Sequence, residues 1–391
     1  MEGAVSRSTL GVYVHFPYCR SICPYCDFAV ERARRVPHDR YARAVIAELA
    51  LRAETFAPFA PARSVFFGGG TPSLWASAEV RGVLVAVERA FGLAQDAEVS
   101  LEANPEDRSA EHLKALREAG VTRLSWGAQS FQDSVLRRLG RRHRGDDSAR
   151  AVEVALAAGY PSVSVDLIYG APGQDVASAA EDGRRTAALG VHHASAYALT
   201  LDELAVPVPM ARAVEGGRLR VPDADAQADM GQALREALAA GGLARYEVSN
   251  FAREVSSRSV HNLGYWKGRP YLGLGVGASG ATPVSRYANP RGSEGYLAAL
   301  EGGRLPAGET EALDGDVRFR ERVMLGLRLV EGLDLAALRV EFGEERLVGL
   351  RAAGVKLGGL VELEGERLRL TDRGLDLHSE VALRLGFTSA A

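Results

Sequence analysis

Three cysteines, Cys19, Cys23 and Cys26, are the only ones in the chain, and all fall in one segment, Tyr-Cys19-Arg-Ser-Ile-Cys23-Pro-Tyr-Cys26. An odd, clustered trio is not a disulfide framework, whose cysteines come in pairs spread along a chain. Thiolates at this spacing can each take one iron of a 4Fe–4S cube. With no fourth cysteine, one iron would stay open to an outside ligand. Two other uses of the same residues stay open. Zinc could be held if His15 completed a Cys3His set, although His15 lies in an apolar, strand-like run that would carry it away. The thiols could also be buried structural groups, against which the flanking prolines and aromatics argue.

Other chemistry-bearing residues sit where a βα fold would gather them. Gly68-Gly69-Gly70-Thr71-Pro72 follows a second apolar run, and glycines let a backbone approach a ligand closely. Glu102, Gln129 and Asp166 end, follow or lie within three further runs. Polar groups at successive strand ends point into one mouth, and a buried Asp needs a hydrogen-bonding partner. Arg141 stands in a basic stretch, Arg137-Arg138-Leu-Gly-Arg141-Arg142-His-Arg144, and a guanidinium fork suits a carboxylate. Arg138, Arg142 and Arg144 read as a solvated helix end.

The elements that must position these groups are legible as alternation. Strand-like runs at Leu10–Phe16, 64–67, 97–102, 123–127, Ser162–Tyr169 and 194–200 are separated by helix-period segments at 39–56, 78–91, 110–119, 148–158 and 175–189. Gly120, Gly159 and Gly190 each fall where a left-handed residue would end a helix. Six strands with helical crossovers predict a parallel sheet, doubly wound or curled towards a barrel. A further helix at 226–240 and a short strand at 245–248 follow. Residues 250–306, rich in Gly, Pro and aromatics, read as irregular chain packed on the sheet. From Val317 on, three helical segments and a hairpin around Gly365 resemble a winged-helix module. Acidic residues outnumber basic ones there, so DNA binding is not expected.

The chain has 391 residues, 47% hydrophobic and 25% charged, with net charge −3. That profile is globular and argues against a general nucleic-acid binder. No apolar run is long enough to span a membrane, and the N-terminal residues lack a secretory pattern, so a cytoplasmic location is expected.

Taken together, YVHFPYCRSICPYCDF, FFGGGTPSL, LEANPE, RLSWGAQSF, LRRLGRRH, SVDLIYGAPGQ and HNLGYW resemble the radical S-adenosylmethionine (SAM) superfamily. Within it, they are similar to the oxygen-independent coproporphyrinogen III oxidases and, more closely, to their heme-chaperone paralogues. The resemblance covers most of residues 10–280. It implies an α/β fold, an open partial (β/α)6 barrel with a C-terminal winged-helix-like module. It divides the chain into a core at 1–243, an irregular segment at 244–310 and the module at 311–391.

The resemblance also implies a 4Fe–4S cluster on Cys19, Cys23 and Cys26. It implies SAM against Tyr13, Gly69 and Glu102, with Tyr25, Gly70, Thr71, Gln129, Arg141 and Asp166 facing a second SAM position. The implied function is binding of heme and its transfer to acceptor proteins, membrane-associated ones among them, and whether any enzymatic turnover accompanies it is left open. The alternatives are the oxidase reaction of porphyrin biosynthesis or another radical SAM reaction. His261-Asn262-Leu-Gly-Tyr265-Trp266 belongs to the chaperones and not the oxidases. Heme iron needs an axial ligand, so His261 is the candidate, with Tyr265 and Trp266 stacking on the macrocycle. A hydrogen-bonded core histidine is the competing reading. Phe28 stands where the oxidases carry a fourth cysteine, and their N-terminal extension has no counterpart before the first strand. Both departures weigh against the oxidase. Oligomeric state is not legible.

Overall fold

The computed structural model describes residues 10–107, 109–202 and 204–385. Its centre is a run of parallel strands, β1 (Leu10–Phe16), β2 (Ala62–Gly69), β3 (Leu93–Ala103), β4 (Arg123–Gln129), β5 (Ser162–Tyr169) and β6 (His193–Ala198), paired in sequence order. The crossovers carry α1 (His38–Phe56), α2 (Ser77–Phe91), α3 (Ala110–Glu118), α4 (Gly145–Ala157) and α5 (Val176–Ala188), and α6 (Ala224–Ala240) packs on α5. Both faces of this sheet are put to use. On β1, Leu10, Val12, Val14 and Phe16 are buried in the main core, while Tyr13 and His15 occupy the alternate face, as a period of two requires. Gly120, Gly159 and Gly190 have φ of 115°, 75° and 71°, the left-handed terminators expected at these helix ends.

The segment read as irregular is not. It contains β7 (Ala244–Arg245), β8 (Asn250–Ala252), α7 (Val260–Trp266), β9 (Tyr271–Leu274), β10 (Ser279–Ala281), β11 (Ser285–Ala288), a helix at Ser293–Glu301 and β12 (Glu309–Ala312). The sheet therefore has twelve strands in the order β12-β11-β10-β9-β1-β2-β3-β4-β5-β6-β8-β7, with β9 parallel to β1. It is an open sheet, since β12 and β7 are its two edges. Strands of two to four residues, rich in Gly and aromatics, are too short to show a period of two. They form because each finds a partner in the existing sheet: β9 pairs with β1 and carries β10 to β12 beyond it, while β8 pairs with β6 and carries β7. Leu272, Leu274, Val276, Tyr296 and Leu297 join the main core, so packing shows no break near residue 244. The expected strand at 245–248 is likewise split, because Glu247 turns inward to meet Arg328.

The last part has its own core. Helices α8 (Gly315–Gly326), α9 (Leu335–Phe342) and α10 (Glu344–Lys356) pack with β13 (Leu333–Asp334), β14 (Val361–Glu364) and β15 (Arg367–Leu370), in the order β13-β15-β14. The hairpin turns at Gly365, φ 58°, as its sequence position predicts.

Candidate functional site: a thiol-lined cavity at the sheet mouth

The cysteine loop leaves the end of β1 and is tied down by backbone. Tyr18–Cys19 pairs in parallel with Glu31–Arg32. The Gly70 N–H donates to Phe16 O at 2.7 Å and the Thr71 N–H to Tyr18 O at 3.1 Å. A Cβ on Gly70 would stand 2.9 Å from those same carbonyl oxygens, so this glycine is needed for the close approach. Gly69 has φ 112°. The glycine run thus clamps the cysteine loop as well as lining the space beyond it.

That space is a cavity of about 520 Å³. Cys19, Cys23 and Cys26, all free thiols, line it together with Tyr25, Gly69, Gly70, Thr71, Glu102, Gln129, Arg141 and Asp166. Residues spread over more than a hundred positions of sequence are gathered because they lie in, at the end of, or in the connections after parallel strands. Tyr13 is the exception. It does not line the cavity, and its hydroxyl is engaged with His15 Nδ1 at 3.0 Å.

Donors reach the thiols. Thr71 Oγ1 lies 3.6 Å from Cys19 Sγ, and Arg141 Nη1 lies 3.5 Å from Cys23 Sγ. Burial raises the Cys19 thiol and pushes Cys26 up to about 11, so these two bare thiols are neutral and would become thiolates on binding metal. Among the described residues, no three His, Cys, Asp or Glu side chains converge on a single ion. His15 is also spoken for. Its Nε2 bonds Ala29 O at 2.9 Å, and burial lowers its pKa to about 4. The zinc alternative therefore lacks its fourth ligand, whereas a cluster needs each thiolate on a separate iron. Arg141 Nε is buried without a partner, while Nη2 bonds Asn104 Oδ1 at 2.6 Å and Gly127 O at 2.9 Å. An unpaired guanidinium N–H in the cavity wall fits a ligand carboxylate.

Deeper in, two carboxylates share the cavity. Glu102 accepts from the Gly69 N–H at 2.9 Å, and burial with the Asp166 charge raises its pKa to about 8. Asp166 accepts from Ser125 Oγ at 3.0 Å, and burial raises it against the hydrogen bonds of Ser195 and Ser125. Gln129 has φ 65°, the only positive value outside glycine among the described residues, at an irregularity in the β4–β5 pairing. Backbone strain of about 1–2 kcal/mol is thereby held at a cavity position.

The His-Asn-x-x-Tyr-Trp motif is placed differently from expectation. Helix α7 caps on Ser259, and its Val260 and His261 N–H groups both donate to Glu98 at 3.2 Å. His261 is buried with both nitrogens taken, Nδ1 by Ser64 Oγ and Nε2 by Tyr265 OH, each at 2.9 Å. Burial lowers its pKa to about 3. The space beside it is about 10 Å³, far too small for a macrocycle. Trp266 lies under the Arg328 guanidinium, 4.2 Å from the ring centroid. In this structure His261, Tyr265 and Trp266, the expected heme residues, are packed and hydrogen-bonded as core residues are, with no space beside His261 for a macrocycle. Of the motif, only Asn262 lines the large cavity.

Several cavity residues were missed. Arg123, Ser125, Ser164, His193, Ser195 and Tyr197 line it from inward positions of β4, β5 and β6. Their signal was small or polar side chains recurring every second residue within apolar strands. Asn104, which bridges Thr71 and Arg141, lies within a motif already noted but was not singled out.

A parallel βα sheet with three thiols at its C-terminal mouth is the arrangement of radical SAM proteins, and residues 13–183 match the Radical SAM superfamily. Residues 313–377 match the HemN C-terminal domain. The chain is 40% identical to the heme chaperone HemW of Mycobacterium tuberculosis, over 93% of this chain and 91% of that protein. It is 32% identical to heme chaperone HemW of Bacillus subtilis, over 94% of this chain and 97% of the relative. The solved structure of the Escherichia coli coproporphyrinogen III oxidase HemN, a radical SAM enzyme, superposes with a TM-score of 0.81, covering 98% of this chain and 92% of its own. At 24% identity that likeness is one of fold. The chain belongs to the heme chaperone HemW family.

Proposed function

We propose that this protein binds a 4Fe–4S cluster, SAM and heme, and passes heme to acceptor proteins in the cytoplasm, membrane-associated acceptors among them. The observation that carries this reading is near-full-length identity to heme chaperones combined with a cavity that holds the three cysteines and the polar strand-end residues together. When bound, cluster and SAM supply one-electron chemistry at the sulfonium. The chain's own part is to bind and orient. Cys19, Cys23 and Cys26 would hold three irons. Gly69 and Glu102 would meet SAM on the cluster side, with Tyr25, Gly70, Thr71, Gln129, Arg141 and Asp166 across the cavity. Arg141 would donate to a carboxylate through its unpaired Nε–H. No helix among the described residues is long and apolar enough to cross a membrane.

Phe28, 60% exposed, lines this cavity where the oxidases have a cysteine, which weighs against oxidase chemistry. One anaerobically reconstituted sample tests the whole reading. It should carry about four irons per chain, bind heme, and fail to convert coproporphyrinogen with SAM and reductant. Cys23→Ala should lose the iron. Stoichiometric zinc without iron uptake would sink the cluster, absence of heme binding would sink the chaperone, and efficient decarboxylation would make the protein an oxidase.

A further inference from the structure

The space beside His261 is too small for a macrocycle, and the thiol-lined cavity, at about 520 Å³, has a cluster and SAM to hold. A third space is larger than either. It is a groove of about 860 Å³ between the main body and the C-terminal module, within the range of about 300–1,000 Å³ that suits a cofactor-sized ligand. One wall is the chain leaving α7, from Lys267 to Pro270, with the β10–β11 turn; the other is built from α8, β13 and α9. Leu325, Leu338, Val340 and Phe342 make the module side apolar, and Val340 at its rim is 90% exposed.

Charge is spread unevenly along this groove. Its carboxylates have arginine partners: Glu321 with Arg286 at 2.6 Å, Glu341 with Arg318 at 3.0 Å, Glu331 with Arg258 at 3.5 Å and Asp334 with Arg367 at 3.9 Å. Arg322 meets Glu341 only at 4.0 Å, and Lys267 forms no ion pair among the described residues. These two cations stand together. A Cβ on Gly268, next to Lys267, would lie 2.6 Å from Arg322 Cδ, so the module's arginine rests on the backbone at the end of α7. Burial, and then the charges of Arg269 and Arg322, lower the Lys267 pKa. An apolar trough with one cation from each wall at its end is complementary to a flat apolar ligand that carries carboxylates along one edge.

We infer that this groove is where heme is carried, with the macrocycle along the α8–α9 side and the propionates at Lys267 and Arg322. This rests on the heme-chaperone reading above. Among the described residues the lining holds no His, Cys, Met or Tyr, so the iron keeps its axial positions for ligands from outside. In transfer, an acceptor side chain donates a lone pair to the iron and displaces water. No electron moves, and this chain gives up only its propionate and apolar contacts.

The test titrates the full-length reconstituted chain with heme, iron-free protoporphyrin IX and heme dimethyl ester, following the Soret band or porphyrin fluorescence. Wild type should bind heme and protoporphyrin with similar affinity, because no side chain holds the iron. Lys267→Glu combined with Arg322→Gln should weaken heme about tenfold or more. The dimethyl ester, which lacks the carboxylate charges, should bind the wild type more weakly by a similar factor and be indifferent to both substitutions. Val340→Asp, at an exposed position, should weaken heme and protoporphyrin alike. Iron–sulfur content and SAM affinity should not change in any of these variants. If the double variant misfolds, Lys267→Glu alone should show part of the effect. Unchanged heme affinity in the charge variants, or heme binding that protoporphyrin cannot reproduce, would overturn the proposal while leaving the chaperone reading intact. A wild type that binds neither porphyrin would defeat the chaperone reading and this site with it.

Discussion

A carboxylic acid buried opposite another carboxylate holds its proton at pH values where an exposed one would not. Glu102, raised from 4.5 to about 8, is neutral at pH 7 in the ligand-free protein. SAM brings an ammonium and a sulfonium, and a cation beside Glu102 and Asp166 favours the charged carboxylate. Binding should then expel a proton, and affinity should rise from pH 6 to about 8 and level off above it. Calorimetry in two buffers of different ionisation enthalpy measures the proton; flat affinity would place Glu102 outside the ligand's reach. The same shift acts on stability. Below pH 4.5 folded and unfolded states are both protonated at this group. As pH rises towards 8 the unfolded state loses its proton first, so stability falls across that window. Glu102→Gln should flatten the fall.

The acid side has the opposite sign. His15, His143 and His261, lowered from 6.5 to about 4, 4 and 3 by burial, fold as neutral rings. Their stability contribution is intact above pH 6.5 and is lost as pH drops towards 4. For His261 the structure separates packing from ligation. His261→Ala would leave Ser64 Oγ and Tyr265 OH without their partner and open a void, costing about 2–4 kcal/mol in denaturant unfolding. Heme affinity and the Soret band should not change. A shifted Soret band in a folded variant would restore the ligand role.

At the scale of elements, the parallel strands and their helices were legible because long apolar runs alternate with helix-period segments and glycines end the helices. The cysteine loop was legible because thiol spacing is a local property. Strands β7 to β12 were not, since two-to-four-residue strands owe their existence to partners distant in sequence, β1 for β9 and β6 for β8. The packing of His261 was not legible for a related reason: Ser64, its partner, is 197 positions away, and nothing local announces it. Glycines show the same divide. Gly70 and Gly82 look alike as letters, yet a Cβ on Gly70 meets three backbone atoms at 2.9 Å, while one on Gly82, inside α2, meets nothing within 4 Å. Gly70→Ala should cost about 1–3 kcal/mol and lower iron retention by displacing the cysteine loop. Gly82→Ala should stabilise by about 0.5–1 kcal/mol with iron unchanged. Equal effects in thermal unfolding and iron assays would mean that the loop tolerates the displacement.

For the molecule as a whole, the module's core meets the main body through Val248, which packs against it, and through polar contacts, several of them made by Arg328. Its guanidinium bonds Glu247 Oε2 at 3.2 and 3.1 Å, and its backbone carbonyl accepts the Val248 N–H at 3.1 Å. The same guanidinium covers Trp266, so one residue of the module gathers the β7–β8 connection and the end of α7. Arg235 and Arg245 both reach Asp376 at 2.8 Å, but that acid is 36% exposed, and exposed pairs contribute little. Glu247 is wholly buried. Arg328→Met keeps most of the aliphatic bulk but leaves Glu247 charged with only the Ser249 and Asn250 donors, at a cost of about 3 kcal/mol. The module retains its own core, so the loss should appear as separation of the two cores, not as collapse of either. Urea unfolding should split into two transitions, and limited proteolysis should cut near residues 311–315. Adding Glu247→Gln should recover part of the loss, because the uncompensated charge is its largest component. A single undisplaced transition in the Arg328 variant would show that apolar contact alone holds the module in place.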